Sequence, residues 1–362
     1  MLIDLVAGAR PNFMKIAPII KAIKKEQDAG SRLSFRLVHT GQHYDKKMSG
    51  DFFEQLNIPT PDVNLGVGSG SQAEQTAKIM TGYEKVLDEK KPDVCLVVGD
   101  VTSTMACAIT AKKSGVLVVH VEGGIRSGDW RMPEEVNRVV TDSITDYFYT
   151  TSKYANENLK NQGVPGEKII YVGNTMIDSL LGNLDRLVQP GIWNEVSLEE
   201  GKFILMTLHR PSNVDDGKNL LEIIREVCSS ASNVPVIFPI HPRTRKMLDL
   251  DALKYNNLHA IEPMGYLEFI FLLKNCMAII TDSGGITEEA TVLGVPCMTL
   301  RDSTERPETI EEGTNELLGT DPKALKPALE RLMNGNWKKG GIPYLWDGKT
   351  SGRIVEHLLS IA

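Results

Sequence analysis

Acidic and basic side chains follow several of the apolar runs that the sequence predicts as buried strands. Asp100, Glu122, His209 and Asp282 each stand at the end of such a run, and Glu134 comes later in the loop that Glu122 opens. Ligands of open α/β sheets bind at the carboxyl ends of the strands, so these groups are candidates for one site. Carboxylates and a histidine placed there can take up and release protons, and the pattern therefore predicts acid–base chemistry.

Each of these residues also has a purely structural interpretation. Asp100 could equally cap the helix that follows it. Glu122 is better suited to catalysis, because it precedes two glycines at a dry sheet edge, where burial would raise its pKa toward that of a general acid or base. His209 could cap backbone groups, although its neighbour Arg210 favours an anionic ligand. The basic cluster HPRTR at 241–245 is a little better explained as a solvated helix start than as a substrate contact. The remaining histidines are interpreted as structural or surface residues: His43, His120, His259 and His357.

The glycine turn at residues 282–285 indicates an anion site. An apolar run of strand length precedes it at 277–280 and helical apolar spacing follows it, so the turn lies at a helix N-terminus. Backbone N–H groups and the positive end of the helix dipole point outward there, and two glycines let a phosphate approach closely. From this stretch alone Ser283 is explained equally well as a simple N-cap. The charged loop at 301–308, which follows the next strand, favours a diphosphate site.

The elements that would carry these groups alternate between strands and helices. Continuous apolar runs without polar alternation suit parallel strands that are covered on both faces. The prolines and glycines of segment 57–70 predict irregular structure. In the first half the predicted strands are Leu2–Ala7, 35–39, Val94–Val98, 116–121, 147–151 and 169–172, and the predicted helices are 13–25, 72–90 and 134–144, with an amphipathic segment at 48–56.

The second half repeats the same alternation. Its predicted strands are 203–207, 236–240, 258–261, 277–280 and 296–300, and its first helix contains 220–228. The pattern loses regularity between 184 and 202, which places the boundary between domains 1–184 and 185–362, with the last helix free to pack back on the first domain. Both halves open with a strand and an arginine-proline loop. The sequence therefore predicts two similar, doubly wound parallel α/β domains that face each other across a cleft.

Composition limits the classes of protein that the chain can belong to. At 362 residues and 41% hydrophobic content, about two domains are expected. A net charge of −7 gives no global basic field for nucleic acid or anionic membranes, so a phosphate ligand must be held by local basic residues. The five scattered cysteines form no Cys-x-x-Cys pair and indicate neither a disulfide framework nor a zinc site. The acidic N-terminus does not resemble a signal peptide and no apolar stretch reaches membrane-spanning length, so a cytoplasmic location is expected.

Nine short motifs, in order along nearly the whole chain, resemble those of the non-hydrolysing UDP-N-acetylglucosamine 2-epimerases. Such a series is far more specific than any one motif. The motifs are GARP (8–11), HTGQH (39–43), GD (99–100), HVEGGIRS (120–127), MPEEVNR (132–138), GNT (173–175), LHR (208–210), TDSGG (281–285) and TERPE (304–308).

The resemblance implies a fold, a reaction and a set of residues. The fold is two Rossmann-like domains facing across a cleft, of the glycosyltransferase-B type. The reaction is inversion at C2 by elimination of UDP to a 2-acetamidoglucal and re-addition, without metal or nicotinamide, by a cytoplasmic homodimer that serves polysaccharide biosynthesis. The first domain would carry most of the acid–base residues and the second would bind UDP. The implied catalytic residues are Asp100, Glu122, Glu134 and His209, and the implied UDP-binding residues are Arg10, Lys15, Ser283, Gly284, Glu289 and Arg306.

Two loops depart from the pattern of many bacterial members. Residues 128–133 form a shorter loop, and QHYD at 42–45 differs from the loop that helps to form their allosteric substrate site. The short loop and the cluster at 241–245 also resemble the epimerases that act on UDP-2,3-diacetamido-glucuronic acid, although TERPE favours UDP-N-acetylglucosamine. A glycosyltransferase of the same fold is the nearest alternative of another reaction class. A non-catalytic sugar-nucleotide sensor is disfavoured, because binding of a dianion does not require three carboxylates at strand ends and in the adjoining loop.

Overall fold

The computed structural model describes residues 1–41, 56–215, 217–240 and 255–361. The chain divides into two compact units: unit 1 contains Met1–Gly182 and Tyr344–Ala362, and unit 2 contains Asn183–Pro343. His43, most of the amphipathic segment at 48–56 and the basic cluster at 241–245 lie outside the described residues. In the described ranges no helix is both long and apolar enough to span a membrane.

Each unit is built on one parallel sheet. In unit 1 the strands are β1 (Leu2–Ala7), β2 (Ser34–His39), β3 (Val63–Asn64), β4 (Val94–Val98), β5 (Leu117–Val121), β6 (Tyr147–Thr150) and β7 (Ile169–Tyr171). In unit 2 they are β8 (Ile204–Thr207), β9 (Val236–Pro239), β10 (Leu258–Ile261), β11 (Ala278–Thr281), β12 (Cys297–Thr299) and β13 (Asn315–Leu317). Every strand of the first half that was predicted is present, with ends displaced by at most one residue.

The helices, in chain order, connect and cover these strands. They are α1 (Arg10–Asp28), α2 (Gln72–Glu89), α3 (Thr102–Lys113), α4 (Pro133–Ile144), α5 (Lys153–Asn161), α6 (Thr175–Leu181), α7 (Ile192–Glu195), α8 (Pro211–Val214), α9 (Gly217–Ser230), α10 (Tyr266–Asn275), α11 (Gly284–Leu293), α12 (Pro307–Glu311), α13 (Leu325–Met333) and α14 (Thr350–Ser360), with short 3-10 helices at Gly166–Lys168, Leu184–Arg186 and Pro322–Ala324.

The two sheets share one topology. Unit 1 has the order β3-β2-β1-β4-β5-β6-β7, and unit 2 has β10-β9-β8-β11-β12-β13, with parallel pairing throughout. In each sheet the order reverses where the first strand meets the fourth, namely between β1 and β4 and between β8 and β11. Loops on either side of such a switch point diverge and leave room for a ligand. Two Rossmann-like units in one chain confirm the predicted α/β fold class of the glycosyltransferase-B type.

Apolar faces explain why these segments pack as they do. On α1, Ile16, Ile19, Ile20 and Ile23 recur at helical spacing and are all buried, which confirms the predicted face. Helix α1 packs against α6 and α14, while α2, α3 and α4 pack in succession. In unit 2, α9 packs against α13, and their apolar faces join the strands in one buried cluster.

The chain returns to unit 1 through its last segment, Tyr344–Ala362. Trp346 is buried and its Nε1 donates a hydrogen bond to the Thr151 carbonyl at 2.9 Å. The Asp178 carboxylate accepts hydrogen bonds from the first N–H groups of α14, at 3.0 and 2.7 Å. Gly173 has φ +101° and lies so close to the Leu345 carbonyl oxygen that a Cβ would approach it to 2.2 Å, so no other residue fits there.

Several elements were not predicted from the sequence, and two of them are short strands. Strand β3 lies within segment 57–70, which was expected to be irregular, and it pairs with β2 through only two residues. Strand β13 contains three residues, of which two are polar, so it has no apolar run to reveal it. Helix α14 has an apolar face that is buried on unit 1, the domain on which the sequence analysis allowed the last helix to pack.

Candidate active site

Asn12 organises the turn after β1. Its Oδ1 accepts hydrogen bonds from the N–H groups of Gly8 and Ala9 at 3.1 and 3.0 Å, and its Nδ2 donates to the Val98 carbonyl at the end of β4 at 3.1 Å. One buried amide therefore joins the two turns at the switch point of unit 1. Arg10, in the same turn, is the first residue of α1, and its side chain is outside what the structure describes.

Lys15 and Glu122 form a buried ion pair at this sheet edge. Lys15 lies on α1, and its Nζ is 2.7 Å from Oε2 of Glu122, which directly follows β5. Both side chains are almost fully buried, with exposed fractions of 11% and 2%. The ammonium also lies against Gly99. A neighbouring cation favours the ionised form of a carboxylate, so Glu122 is placed to accept a proton.

The backbone of Glu122 adopts a conformation that residues other than glycine avoid. Its φ is +70°, which is sparsely populated for residues with a Cβ. The turn continues into Gly124, with φ +83°, where a Cβ would lie 2.4 Å from the Ala155 carbonyl oxygen. A glycine is therefore required at 124, whereas glutamate at 122 costs free energy, on the order of 1–3 kcal/mol for such a conformation. Unfavourable backbone geometry of this kind occurs preferentially at functional sites.

Asp100 is held by Arg138 of α4. The guanidinium donates to Oδ2 of Asp100 from Nε at 3.0 Å and from Nη2 at 2.6 Å, and Nη1 donates to Glu135 at 2.8 Å. The Nδ2 of Asn137 donates to the Asp100 carbonyl at 2.8 Å. Asp100 keeps 31% of its side chain exposed, so its carboxylate is fixed in place and still reachable from solvent.

Glu135 and its neighbour Glu134 have different surroundings. Glu135 is buried and accepts hydrogen bonds from Ser127 and from the Gly128 N–H. Burial alone would raise the pKa of Glu135, but the hydrogen bonds from Ser127, Arg138 and Gly128 hold it below its usual value. Glu134 is half-buried, and within the described ranges its carboxylate makes no hydrogen bond or ion pair. Of this adjacent pair, Glu135 fixes the loop and Glu134 can contact a ligand.

In unit 2, Asp282 holds the loop that begins with His209. Asp282 is fully buried, and its carboxylate accepts from the N–H groups of His209 and Arg210, from Asn213 Nδ2 and from His209 Nδ1 at 2.8 Å. Burial would raise the pKa of Asp282, but the hydrogen bond and charge of His209, with bonds from Asn213 and Arg210, hold it below its usual value. The sequence suggested chemistry for Asp282 itself, whereas the geometry shows that it positions His209.

Ser283 is the N-cap residue of α11, but its side chain makes no capping hydrogen bond within the described residues. Helix α11 begins at Gly284, and the N–H groups of a first helical turn have no partner within the helix. The hydroxyl of Ser283 and the N–H groups beside Gly284 thus form a small surface that suits an anion.

Arg306 precedes α12 and is almost completely buried beside two carboxyl groups. Its Nε donates to Glu288 of α11, which is itself buried. Glu308 is also buried, and neither of its carboxyl oxygens has a hydrogen-bond partner among the residues that the structure describes. Burial raises the pKa of Glu308 to about 7, in spite of the nearby charge of Arg306. The guanidinium that sequence analysis assigned to a diphosphate is therefore already paired with Glu288.

Glu289 is buried on α11 and accepts a hydrogen bond from the Tyr266 hydroxyl at 2.9 Å. Burial raises the pKa of Glu289 to about 8, although the bond from Tyr266 lowers it. The side chain is therefore protonated at neutral pH and can donate one hydrogen bond while it accepts another.

The structure thus gathers the candidate residues in two sets. In unit 1, Lys15, Asp100 and Glu122 meet where β1, β4 and β5 end, and in unit 2, His209 and Ser283 lie at the ends of β8 and β11. Sequence reasoning missed the side chains that hold them. The spacing of Glu135, Arg138 and Asp142 on one face of α4 was a usable signal. Within the described residues, no three His, Cys, Asp or Glu side chains are arranged to hold a metal ion.

Comparison with known proteins agrees with this geometry. The profile of the UDP-N-acetylglucosamine 2-epimerase family matches residues 25–359. The UDP-N-acetylglucosamine 2-epimerase of Methanocaldococcus jannaschii is 43% identical over 373 residues, covering 99% of both chains. The UDP-2,3-diacetamido-2,3-dideoxy-D-glucuronate 2-epimerase of Pseudomonas aeruginosa is 39% identical over 364 residues, covering 100% of both.

A solved structure extends the similarity to three dimensions. The crystal structure of the M. jannaschii UDP-GlcNAc 2-epimerase in complex with UDP-GlcNAc and UDP matches with a TM-score of 0.86 at 41% identity, covering 99% of this chain and 100% of that one. Motifs, fold and full-length identity therefore agree, and the chain belongs to the UDP-N-acetylglucosamine 2-epimerase family.

Proposed function

We propose that this protein is a UDP-N-acetylglucosamine 2-epimerase, which reversibly inverts C2 of UDP-N-acetylglucosamine to give UDP-N-acetylmannosamine. The observation that carries the proposal is the 41% identity, over 99% of this chain, to a solved relative whose complex contains UDP-GlcNAc and UDP. The buried acid–base groups at the strand ends of unit 1 support it, because inversion at an unactivated carbon requires proton transfer on both faces of the ring.

The two units have separate tasks in this proposal. Unit 2, Asn183–Pro343, would bind UDP, with Ser283 and Gly284 at the phosphates and Glu289 at the ribose hydroxyls. The anion-binding surface at the start of α11 and the protonated carboxyl of Glu289 suit these roles. Arg306 and Arg10 would neutralise the diphosphate and Lys15 would add a further cation, which stabilises the charge that the leaving group acquires.

Elimination and re-addition balance as follows. A carboxylate removes the C2 proton, the C1–O bond breaks toward UDP, and the sugar becomes 2-acetamidoglucal. UDP then adds again to C1 while a protonated group delivers a proton to the opposite face of C2. We assign the proton transfers to Asp100, Glu122 and Glu134, with His209 near the phosphates. Neither the elimination nor the re-addition requires an external oxidant or reductant.

The test is to follow turnover in D2O without an acceptor. UDP-N-acetylmannosamine formed from UDP-N-acetylglucosamine should carry deuterium at C2, measured by proton NMR. Product with full protium at C2 would rule out the elimination route, and an inert sugar nucleotide that reacts only with an acceptor would support a glycosyltransferase.

A related substrate is the second candidate, because the P. aeruginosa enzyme named for UDP-2,3-diacetamido-2,3-dideoxy-D-glucuronate is 39% identical over 100% of both chains. The two sugars differ at C3 and at C6, where the second carries a carboxylate. Comparison of kcat/KM for both sugar nucleotides decides between them, and we expect UDP-N-acetylglucosamine to be preferred.

We also propose that the enzyme is a cytoplasmic homodimer that supplies a precursor for polysaccharide synthesis. All five cysteines are buried free thiols, which fits a reducing compartment. Light scattering coupled to gel filtration measures the oligomeric state directly, and a mass of one chain would contradict the dimer.

A further inference from the structure

His120, in β5, is a fully buried side chain to which the proposed mechanism assigns no task. Its Nδ1 lies 2.7 Å from Oδ1 of Asp142 on α4, and its Nε2 lies 2.8 Å from the carbonyl oxygen of Gly99, which follows β4. The ring therefore connects α4 to the turn that leads into Asp100. His120 itself lies two residues before Glu122 in the chain.

Both partners of the ring are hydrogen-bond acceptors. A carbonyl oxygen cannot donate, so Nε2 must carry a hydrogen. The other oxygen of Asp142 accepts from the Gly124 N–H at 3.0 Å and lies 2.7 Å from Nη2 of Arg126. Burial would raise the pKa of Asp142, but the charges and hydrogen bonds of His120 and Arg126 hold it below its usual value. Asp142 thus joins the ring of His120 to the turn that contains Gly124.

We infer that His120 positions the two catalytic turns of unit 1 through the hydrogen bonds of its two ring nitrogens. It binds the Gly99 carbonyl directly and reaches the Gly124 N–H through Asp142, so it fixes the turn that carries Asp100 relative to the turn that carries Glu122. A displacement of about 1 Å between catalytic groups can cost on the order of 100-fold in rate, which gives this bridge its importance. The catalytic part of this inference rests on the proposed epimerase function, and the hydrogen-bond arrangement does not.

The hydrogen bond from Nε2 to the Gly99 carbonyl is tested without any substrate. The chain contains seven histidines, so the ring nitrogens can be labelled with 15N and observed by NMR. The groups that face the ring are Asp142 from α4, Arg126 through that carboxylate, and the Gly99 carbonyl. We expect one ring signal, absent from His120→Gln, whose Nε2 carries a hydrogen at pH 7.5. A ring whose Nε2 carries no hydrogen would overturn the inference.

The positioning role is tested with His120→Gln and Asp142→Asn. Each disrupts the bridge that runs from Gly99 through His120 to Asp142, and we expect kcat for epimerisation to fall about 10- to 100-fold, while the Kd for UDP, which the proposed function assigns to unit 2, stays within about 2-fold. The matched control is His357→Gln, which removes a half-buried histidine bonded to Tyr149 in the same unit and should leave kcat unchanged.

Each outcome decides one question. Unchanged kcat in His120→Gln would overturn the positioning role, and retained UDP binding shows that unit 2 of a slow variant is folded. If His120→Gln does not fold, Asp142→Asn and the NMR of the unaltered protein still test the inference. If the unaltered protein turns over no sugar nucleotide, the proposed function fails while the NMR result stands on its own.

Discussion

Asp282 binds His209 both through the backbone N–H, at 3.1 Å from each carboxylate oxygen, and through the ring Nδ1, at 2.8 Å. The second contact leaves Nε2 of the ring facing away from the carboxylate. A buried carboxylate thereby sets both the position and the ring orientation of a histidine whose own side chain is 60% exposed. The arrangement resembles the carboxylate–histidine pairs that orient metal ligands and catalytic bases.

Replacing Asp282 with asparagine should therefore impair both turnover and stability. The new amide would present N–H groups to the N–H donors of His209 and Arg210. We expect kcat to fall about 10- to 100-fold and the free energy of unfolding to fall about 1–3 kcal/mol at pH 7, measured by steady-state kinetics and urea denaturation. Asp321→Asn is the control, because that exposed residue accepts one backbone hydrogen bond in the same unit. Equal losses of kcat and of unfolding free energy in Asp282→Asn and Asp321→Asn would contradict the role assigned to Asp282.

The Asp282–His209 pair also predicts that the stability difference between the unaltered protein and Asp282→Asn depends on pH. Because the pKa of Asp282 is held below its unfolded value, the stabilisation is present above the unfolded pKa and is lost as the pH falls through the folded one. The stability difference between the unaltered protein and Asp282→Asn should therefore narrow below about pH 4.

Arg306→Ala should weaken UDP binding. The guanidinium is the buried cation beside α11, and loss of one charge-assisted hydrogen bond to phosphate costs about 1.5–3 kcal/mol, which calorimetry with UDP can measure. Arg10→Ala should act in the same direction. Arg331→Ala, which removes an exposed arginine paired with Glu316 in unit 2, should leave UDP affinity unchanged. Unchanged affinity in both the Arg306 and Arg10 variants would remove these residues from the site.

Glu122→Gln should reduce turnover about 100-fold or more while UDP binds normally, because it removes a proton-transfer group and no phosphate contact.

The unfavourable backbone conformation at Glu122 is tested separately by comparing Glu122→Ala with Glu122→Gly. Both variants lose the ion pair with Lys15, so the difference between their free energies of unfolding reports the cost of the positive φ. We expect the glycine variant to be more stable by about 1 kcal/mol in urea denaturation. An alanine variant of equal or greater stability would show that the backbone there is unstrained.

Unit 2 should lose stability as the pH rises from about 5 to 8, because the pKa of Glu308 is raised to about 7 and that of Glu289 to about 8. A raised folded pKa gives stabilisation that is full below the unfolded pKa and is lost as the pH rises through the folded one. Glu308→Gln should reduce the loss of unfolding free energy between pH 5.5 and pH 8 by about 2 kcal/mol, measured by denaturation at these two pH values. Glu330→Gln, on the exposed face of α13, should leave the pH dependence as it is.

Turnover should survive a chelator and need no added nicotinamide. The sequence contains no spacing typical of a metal site and no Gly-x-Gly-x-x-Gly motif after the first strand, and elimination and re-addition require only proton transfer and charge stabilisation. The measurement is the epimerisation rate before and after EDTA. A loss of rate that a divalent ion restores would contradict this expectation.

Local sequence predicted the strands because each apolar run carries its own evidence of burial. Val94–Val98 was predicted with both ends correct, since all five of its residues are buried. Strand β13 could not be predicted, because Asn315 and Glu316 interrupt any apolar pattern and pairing with β12 alone makes it a strand.

For the site, residue types at strand ends could be predicted and their partners could not. Glu122 was recognisable from the glycines that follow it, but its pairing with Lys15 joins positions 107 residues apart. Asp282 was recognised as a buried strand-end carboxylate, but its partner His209 lies 73 residues earlier in the chain. Only the topology, which places β8 beside β11, brings these two together.

The return of the last segment to unit 1 has a consequence for synthesis on the ribosome. All of Asn183–Pro343 is translated before Trp346 and α14 exist, so unit 2 has its full sequence while unit 1 still lacks the helix that packs on α1. Domains generally fold as units in the order of their synthesis. Here the unit whose translation begins first is the last to be completed, and a nascent chain stopped before Tyr344 would contain all of unit 2 and an incomplete unit 1.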